Sequence, residues 1–376
     1  MDFNLSSEQT FIKETLRKFM ARECPREKAH ELDAQGAFPG GLLAKLAGMG
    51  FCSLTTPEAF GGAGQDLLGA ALVVEECAVM LPSLAGLFAG VTFSGGQVIS
   101  RLGSGAQKTG CLPSIAEGSL VVGLALADEV SGGGVTAVSH NGSFILNGRI
   151  PHVSLAPQAD YLIVQANTAD ETTLFLVPAD APGIAIQETE TVGSRGIGLA
   201  EVGFENVAMK SADVLGGPDG VNQGNSQSEY VTAVNHLAAA ALCLGLAQGA
   251  YDYTANYANE RVQFNQPIAQ FEAVQHMLVD TAVSLRAARW LLYHACWLAD
   301  QEKPFAPEAA MARLQAGELA RQAGLQSVHI LGGYGYMAEY DAQRYMRDSL
   351  VQFYGGETTA LLKNEIGALI GLGQKL

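Results

Sequence analysis

Apolar residues recur at helical spacing through the first third of the chain. Phe11, Ile12, Leu16, Phe19 and Met20 read as one helical face, behind Ser6-Ser7-Glu8-Gln9, where hydroxyls ahead of Glu and Gln make a capping signal. Leu42–Met49 predicts a second helix closed by Gly50, and Pro57 to Gly64 a loop before a helix over Leu67–Met80. Gly103 to Gly110 reads as a turn-rich connection before one more short helix. Near residue 119 the pattern changes. Leu120–Ala127 is a continuous apolar run, a buried strand, and Phe144–Leu146, Tyr161–Gln165 and Thr173–Val177 are short β-type runs. Asn141-Gly142, Asn147-Gly148, Pro157 and Pro178 punctuate them.

From residue 226 the pattern is helical again. Tyr230–Tyr257, Ala273–Ala299 and Pro307–Val328 are long segments, apolar nearly all round, and predict helices inside a bundle. A last helix over Thr358–Ile370 is expected to be interrupted by Gly367. The fold class is therefore α+β: a helical domain over 1–118, a β-barrel or sandwich over 119–222, and a four-helix bundle over 223–376.

Composition narrows the function classes. Hydrophobic residues make up 48% and charged residues 16% of 376 residues, enough for a large core and too little charge for disorder. The net charge of −16 argues against a nucleic-acid binder, which would hold phosphates against its own field. The start lacks the basic and apolar regions of a signal peptide. Leu237–Ala250 falls short of the roughly 20 residues a membrane span needs. A cytoplasmic protein without a membrane span is expected. The scattered cysteines at 24, 52, 77, 111, 243 and 296 show no zinc spacing and read as buried thiols in a reducing compartment. The common phosphate-binding loops are missing.

Several strings carry a resemblance. Pro57-Glu58-Ala59-Phe60-Gly61-Gly62 precedes a helix bearing Glu75-Glu76. Glu260-Arg261-Val262-Gln263-Phe264 separates two long helices. Leu331-Gly332-Gly333-Tyr334-Gly335-Tyr336 is followed by Tyr345-Met346-Arg347-Asp348 and Tyr354-Gly355-Gly356. In this order they resemble the acyl-CoA dehydrogenase flavoprotein family over essentially the whole chain. The resemblance implies an FAD lying between the β domain and the bundle of a homodimer or homotetramer, with Arg261 and Phe264 reaching it from the neighbouring subunit. An arginine on an interhelical loop can hold a pyrophosphate by charge-assisted hydrogen bonds; by itself it reads as a surface ion pair. Gly332 and Gly333 permit close backbone approach to a ligand, or simply end a helix. His329 stands where the family has a glutamine at the adenine end, and it too can serve as a helix cap. Leu126 and Ser154 are the expected flavin contacts of the β domain, and Thr358 is either a flavin contact or an N-cap.

The departures matter more. The family's Thr-Glu-Pro-x-Ala-Gly-Ser loop corresponds to Ala127-Asp128-Glu129-Val130-Ser131-Gly132-Gly133, which lacks the hydroxyl at Ala127; Ser131 is the substitute for the serine on the CoA arm. His152-Val153-Ser154 replaces Trp-Ile-Thr, and Glu272 puts an acid beside the expected pyrophosphate. The family removes an acyl α-proton with a carboxylate while the β-hydride passes to flavin N5; such a base needs a dry site and a raised pKa. Its two usual places here hold Gly355 and Asn235, the latter followed by His236. Glu357 is the nearest carboxylate and the candidate base, against a solvent-facing glutamate favoured by the helix dipole. His236 is a base or, by preference, a core histidine satisfied by a neighbour.

Three functions follow from this. The first is an FAD-dependent dehydrogenation of an acyl-CoA thioester, with an electron-transferring flavoprotein as acceptor. The second is a silent or half-site subunit of a heteromeric enzyme. The third is a different flavin reaction, such as reduction, elimination or monooxygenation. No metal is expected.

Overall fold

A computed structural model describes residues 4–64, 66–126, 132–140, 142–169, 171–350 and 358–372. It has a helical N-terminal region, a middle β-sheet domain and a C-terminal helical domain, as the α+β reading expected.

The N-terminal helices are α1 (Ser7–Glu23), α2 (Arg26–Gln35), α3 (Gly40–Gly48), α4 (Leu67–Ala78), α5 (Pro82–Ala89), α6 (Val98–Leu102) and α7 (Gly105–Ala116), with a π-helical turn at Gly90–Gln97. The Ser6–Gln9 capping box opens α1. Its buried face is Ile12, Leu16, Phe19 and Met20, while Phe11 is 68% exposed and leaves the predicted stripe. α2 buries only Ala29, so it has no apolar periodicity to announce it. The connection expected over Gly103–Gly110 is only two residues long. Ser104 and Gln107 form a second capping box, and the reciprocal hydrogen bonds start α7 at Gly105 despite two nearby glycines.

The middle sheet contains β1 (Val122–Ala125), β2 (Gly134–His140), β3 (Ser143–Ser154), β4 (Tyr161–Asn167), β5 (Thr172–Pro178), β6 (Ile184–Thr189) and β7 (Leu199–Lys210). Among the described residues the order is β1-β4-β2-β3-β7-β6, with β5 on the other edge of β4. β4 runs parallel to β1 and β2; the remaining pairs are antiparallel. Of the three strands with no counterpart among the predicted runs, β7 carries the clearest signal, since Ala200, Val202 and Phe204 alternate inward before Val207 and Met209.

The C-terminal domain is built on α8 (Gly224–Glu260), α9 (Glu272–Asp300), α10 (Ala306–Leu331), α11 (Gly333–Tyr336), α12 (Ala342–Ser349) and α13 (Thr359–Leu369). α8 is long and apolar enough to cross a membrane, but 78% of its most apolar window is buried inside the protein. α9 corrects the all-round reading: Leu285, Ala288, Leu292 and Cys296 are buried, while Val283, Trp290 and Trp297 are exposed on this chain. α13 continues through Gly367 without a break. All six cysteines are buried and free.

Candidate functional site

The predicted site residues fall into groups on different elements. The first lies where α8 ends. Arg261 caps that helix, its N–H donating to Tyr257 O at 2.8 Å, and a hairpin follows from β8 (Val262–Gln263) to β9 (Gln266–Pro267). Phe264 and Asn265 form the hairpin tip with φ of 49° and 63°, a left-handed pair that suits the twist of a tight hairpin. This lifts Phe264 into solvent, 87% exposed, touching only the edge of Phe271 among aromatic rings of the described residues. The Arg261 guanidinium lies 5.4 Å from the centre of the Tyr334 ring, a cation–π contact that parks it on the ring.

Tyr334 belongs to the turn that ends α10. Gly332 has φ 61° and ψ −129°, a conformation open to glycine, and its N–H donates to Val328 O and His329 O. A Cβ at Gly332 or Gly333 would meet nothing within 4 Å, so the backbone faces open space. Arg261, Gly333, Tyr257, Leu331, Tyr334 and Met337 line a cavity of about 530 Å³. The structure therefore brings Arg261 together with the glycine turn. His329 is exposed on the last turn of α10 and does not line this cavity. Exposed donors, bare backbone and space together fit an anionic dinucleotide. Glu272 is turned away from the cavity: it is exposed and lies 3.6 Å from His276 on its own helix.

The second group lies on the sheet. Leu126 follows β1, half-buried, and Ser154 ends β3 opposite Leu199. The end of β3 lies beside the start of β1, since a Cβ on Gly123 would sit 3.5 Å from Ser154 O, whereas Leu126 follows the other end of β1. The register of β3 shifts between Ile150 and Val153, and His152 in that irregularity has φ 66° and is exposed. A polar side chain thus stands where the family's ring-shielding tryptophan was expected.

Thr358 is the N-cap of α13, its hydroxyl accepting from Leu361 N–H at 3.3 Å, so the capping alternative for this residue is realised. Glu357, Gly355, Ala127 and Ser131 lie outside the described residues. Asn235 is exposed on α8. His236 beside it is 3% exposed, buried as a core histidine would be, with Nε2 3.7 Å from Glu365 Oε2.

Two quoted strings have structural partners that spacing did not reveal. Glu75, 1% exposed, accepts from Lys13 at 3.0 Å, from Arg289 at 2.9 Å and from the Tyr293 hydroxyl at 2.8 Å. Burial alone would raise its pKa; Lys13 and Arg289 outweigh that and hold it below the usual range. Glu76 pairs with Lys13 and Arg17. This knot joins α1, α4 and α9. Asp348, in the other string, ties α12 to the loop after β6.

Comparison with known proteins agrees with this layout. Residues 6–119, 125–207 and 222–370 match the N-terminal, middle and C-terminal domains of acyl-CoA dehydrogenase. Similar proteins include a probable acyl-CoA dehydrogenase of Bacillus subtilis, YngJ, 33% identical and covering 96% of this chain and 97% of that one. Benzylmalonyl-CoA dehydrogenase of Aromatoleum aromaticum is also 33% identical, with 96% and 98% covered. Among solved structures, butyryl-CoA dehydrogenase from Megasphaera elsdenii superposes with a TM-score of 0.91 at 26% identity, over 98% of this chain and 100% of that chain. The FAD complex of PigA gives 0.90 at 26%, with both chains fully covered.

Proposed function

The chain belongs to the acyl-CoA dehydrogenase family and is a flavin-dependent oxidoreductase of the CH–CH class; from that membership we propose that it binds FAD and dehydrogenates an acyl-CoA thioester between Cα and Cβ. The observation that carries this is the pairing of Arg261 with the open Gly332-Gly333 turn around one cavity, on a different element from the strand ends that bear Leu126 and Ser154. A dinucleotide could span two such surfaces on two copies of the chain, with the exposed Phe264 tip of one copy reaching towards the other. The assembly is then a homodimer or homotetramer.

The bound flavin would supply a hydride acceptor. The chain's own part is to orient and to move a proton. Arg261 holds the pyrophosphate, the backbone at Gly332 and Gly333 admits the adenine end, and Ser154 and Leu126 meet the ring from the sheet. Glu357 is the base for the α-proton, as the carboxylate nearest the vacant family position at Gly355. An electron-transferring flavoprotein would be the acceptor that this chemistry calls for.

The visible spectrum of the purified protein, scanned before and after a panel of acyl-CoA thioesters under anaerobic conditions, tests the reading. A yellow protein that bleaches with one thioester is expected, and Glu357→Gln should slow that bleaching by at least about 100-fold, the scale of a general base. A colourless protein that stays empty when FAD is added would refute it. A second reading, a half-site subunit completed by a related chain, is favoured by Asn235 at the helix position where the family's alternative base was expected. A flavin that binds but never bleaches alone, and bleaches on mixing with such a chain, selects it. A different flavin reaction would show instead as reoxidation coupled to reduction or oxygenation of the thioester.

A further inference from the structure

Asp348 lies in the last turn of α12 and is 2% exposed. Its Oδ1 accepts from the backbone N–H of Ser194 at 2.7 Å. Ser194 is itself buried and held at φ 51°, a left-handed conformation that a non-glycine residue keeps only when its surroundings impose it. The surroundings here are tight. A Cβ on Gly193 would stand 2.3 Å from Arg347 O, so only glycine lets the loop pass against α12. Arg347 donates from Nη1 to Val192 O at 2.6 Å and from Nη2 to Asp33 Oδ2, on α2, at 2.7 Å. Thr191 closes the turn by donating its hydroxyl to Gly193 O at 2.9 Å. All three regions of the protein meet at this loop.

The loop also leads somewhere. It runs through the turn Arg195–Ile197 to Gly198, whose carbonyl accepts from Leu155 N–H at 2.8 Å, and then into β7, where Leu199 lies opposite Ser154. The position of Ser194 therefore fixes the strand end that carries Ser154. We propose that Asp348 is a positioning residue for the flavin pocket: its buried carboxylate anchors the turn 192–198 and, through Gly198, sets where Ser154 stands. This inference rests on the reading that Ser154 faces the flavin.

Apoprotein titrated with FAD, followed by flavin fluorescence and by the shape of the visible band, tests both. Asp348→Ala removes the acceptor and should raise the FAD Kd by at least about tenfold and blur the band, the effect expected for loss of one charge-assisted hydrogen bond. Asp348→Asn retains an oxygen for Ser194 N–H and should stay within about threefold of the parent. Ser154→Ala should alter Kd and band directly. If Ser154→Ala changes both while Asp348→Ala binds FAD as the parent does, the positioning role is overturned and the site reading stands. If Ser154→Ala is silent, the site reading of Ser154 falls, and the inference with it. Equal loosening by the Asn and Ala variants would overturn the hydrogen-bond route. Should the Ala variant fail to fold, Thr191→Val, which loosens the same turn from its other side, takes its place; an unchanged Kd and band then overturns the proposal.

Discussion

Replacing Glu75 by Gln strips one charge from the core while keeping the side chain's size. In the folded protein that carboxylate takes hydrogen bonds from Lys13, Arg289 and Tyr293 with 1% exposure. Removing one partner of a buried ion pair costs about 3–5 kcal/mol, because the charge left behind is neither solvated nor paired. Here the cost falls towards the lower end, since Lys13 still has Glu76 at 3.2 Å and Arg289 still has Gln248 at 2.9 Å. About 3 kcal/mol, divided by an unfolding entropy of roughly 2.1 cal/mol/K per residue over the chain, gives a fall in Tm of about 4 °C. Scanning calorimetry of the two proteins at pH 7.5 measures it. The pH dependence gives an internal control. Glu75 has a folded pKa below its unfolded value, so its stabilisation is present above the unfolded pKa and is lost as pH falls through the folded one. The gap between parent and variant should therefore narrow in acid. A variant within about 1 kcal/mol of the parent at pH 7.5, or more stable than it, would refute the argument by showing that desolvation cancels the pairing.

Asp300 accepts from the N–H groups of Leu67 and Leu68 at the start of α4, and burial, with Asp66 nearby, pushes its carboxyl up to about 7. Its folded pKa exceeds the unfolded value, so its stabilisation is full below the unfolded pKa and is lost as pH rises through about 7; Asp300→Asn should flatten that part of a Tm-against-pH curve. Ser104→Ala removes the capping box of α7 and should cost about 1 kcal/mol in urea unfolding, with the m-value unchanged. Arg261→Leu should weaken FAD binding by at least about tenfold in an apoprotein titration, yet leave the Tm of the apoprotein unchanged, because the guanidinium is exposed and rests on the Tyr334 ring.

The strings that carried the family resemblance are legible because each meets a local demand. Gly332 must adopt a glycine conformation, and Arg261 must leave the end of a long helix where it can be parked on a ring. Long helices announced themselves by periodicity, since α8 and α10 are buried on several sides and apolar to match. α2 did not, because one buried alanine gives no stripe. The extended β7 was readable in principle from its alternation, but Gly203 and two glutamates dilute the signal that marked the shorter runs.

What the sequence alone determined is the order of domains and the family, because these depend on residue identity and local spacing. The tertiary structure decided which residues share a place. It paired His236 with Glu365, gathered Lys13, Arg289 and Tyr293 around Glu75, and set Asp348 against Ser194 across 154 positions of chain. Such contacts arise from the packing of whole elements against one another, and that packing brings together groups whose distance along the chain carries no trace of their meeting.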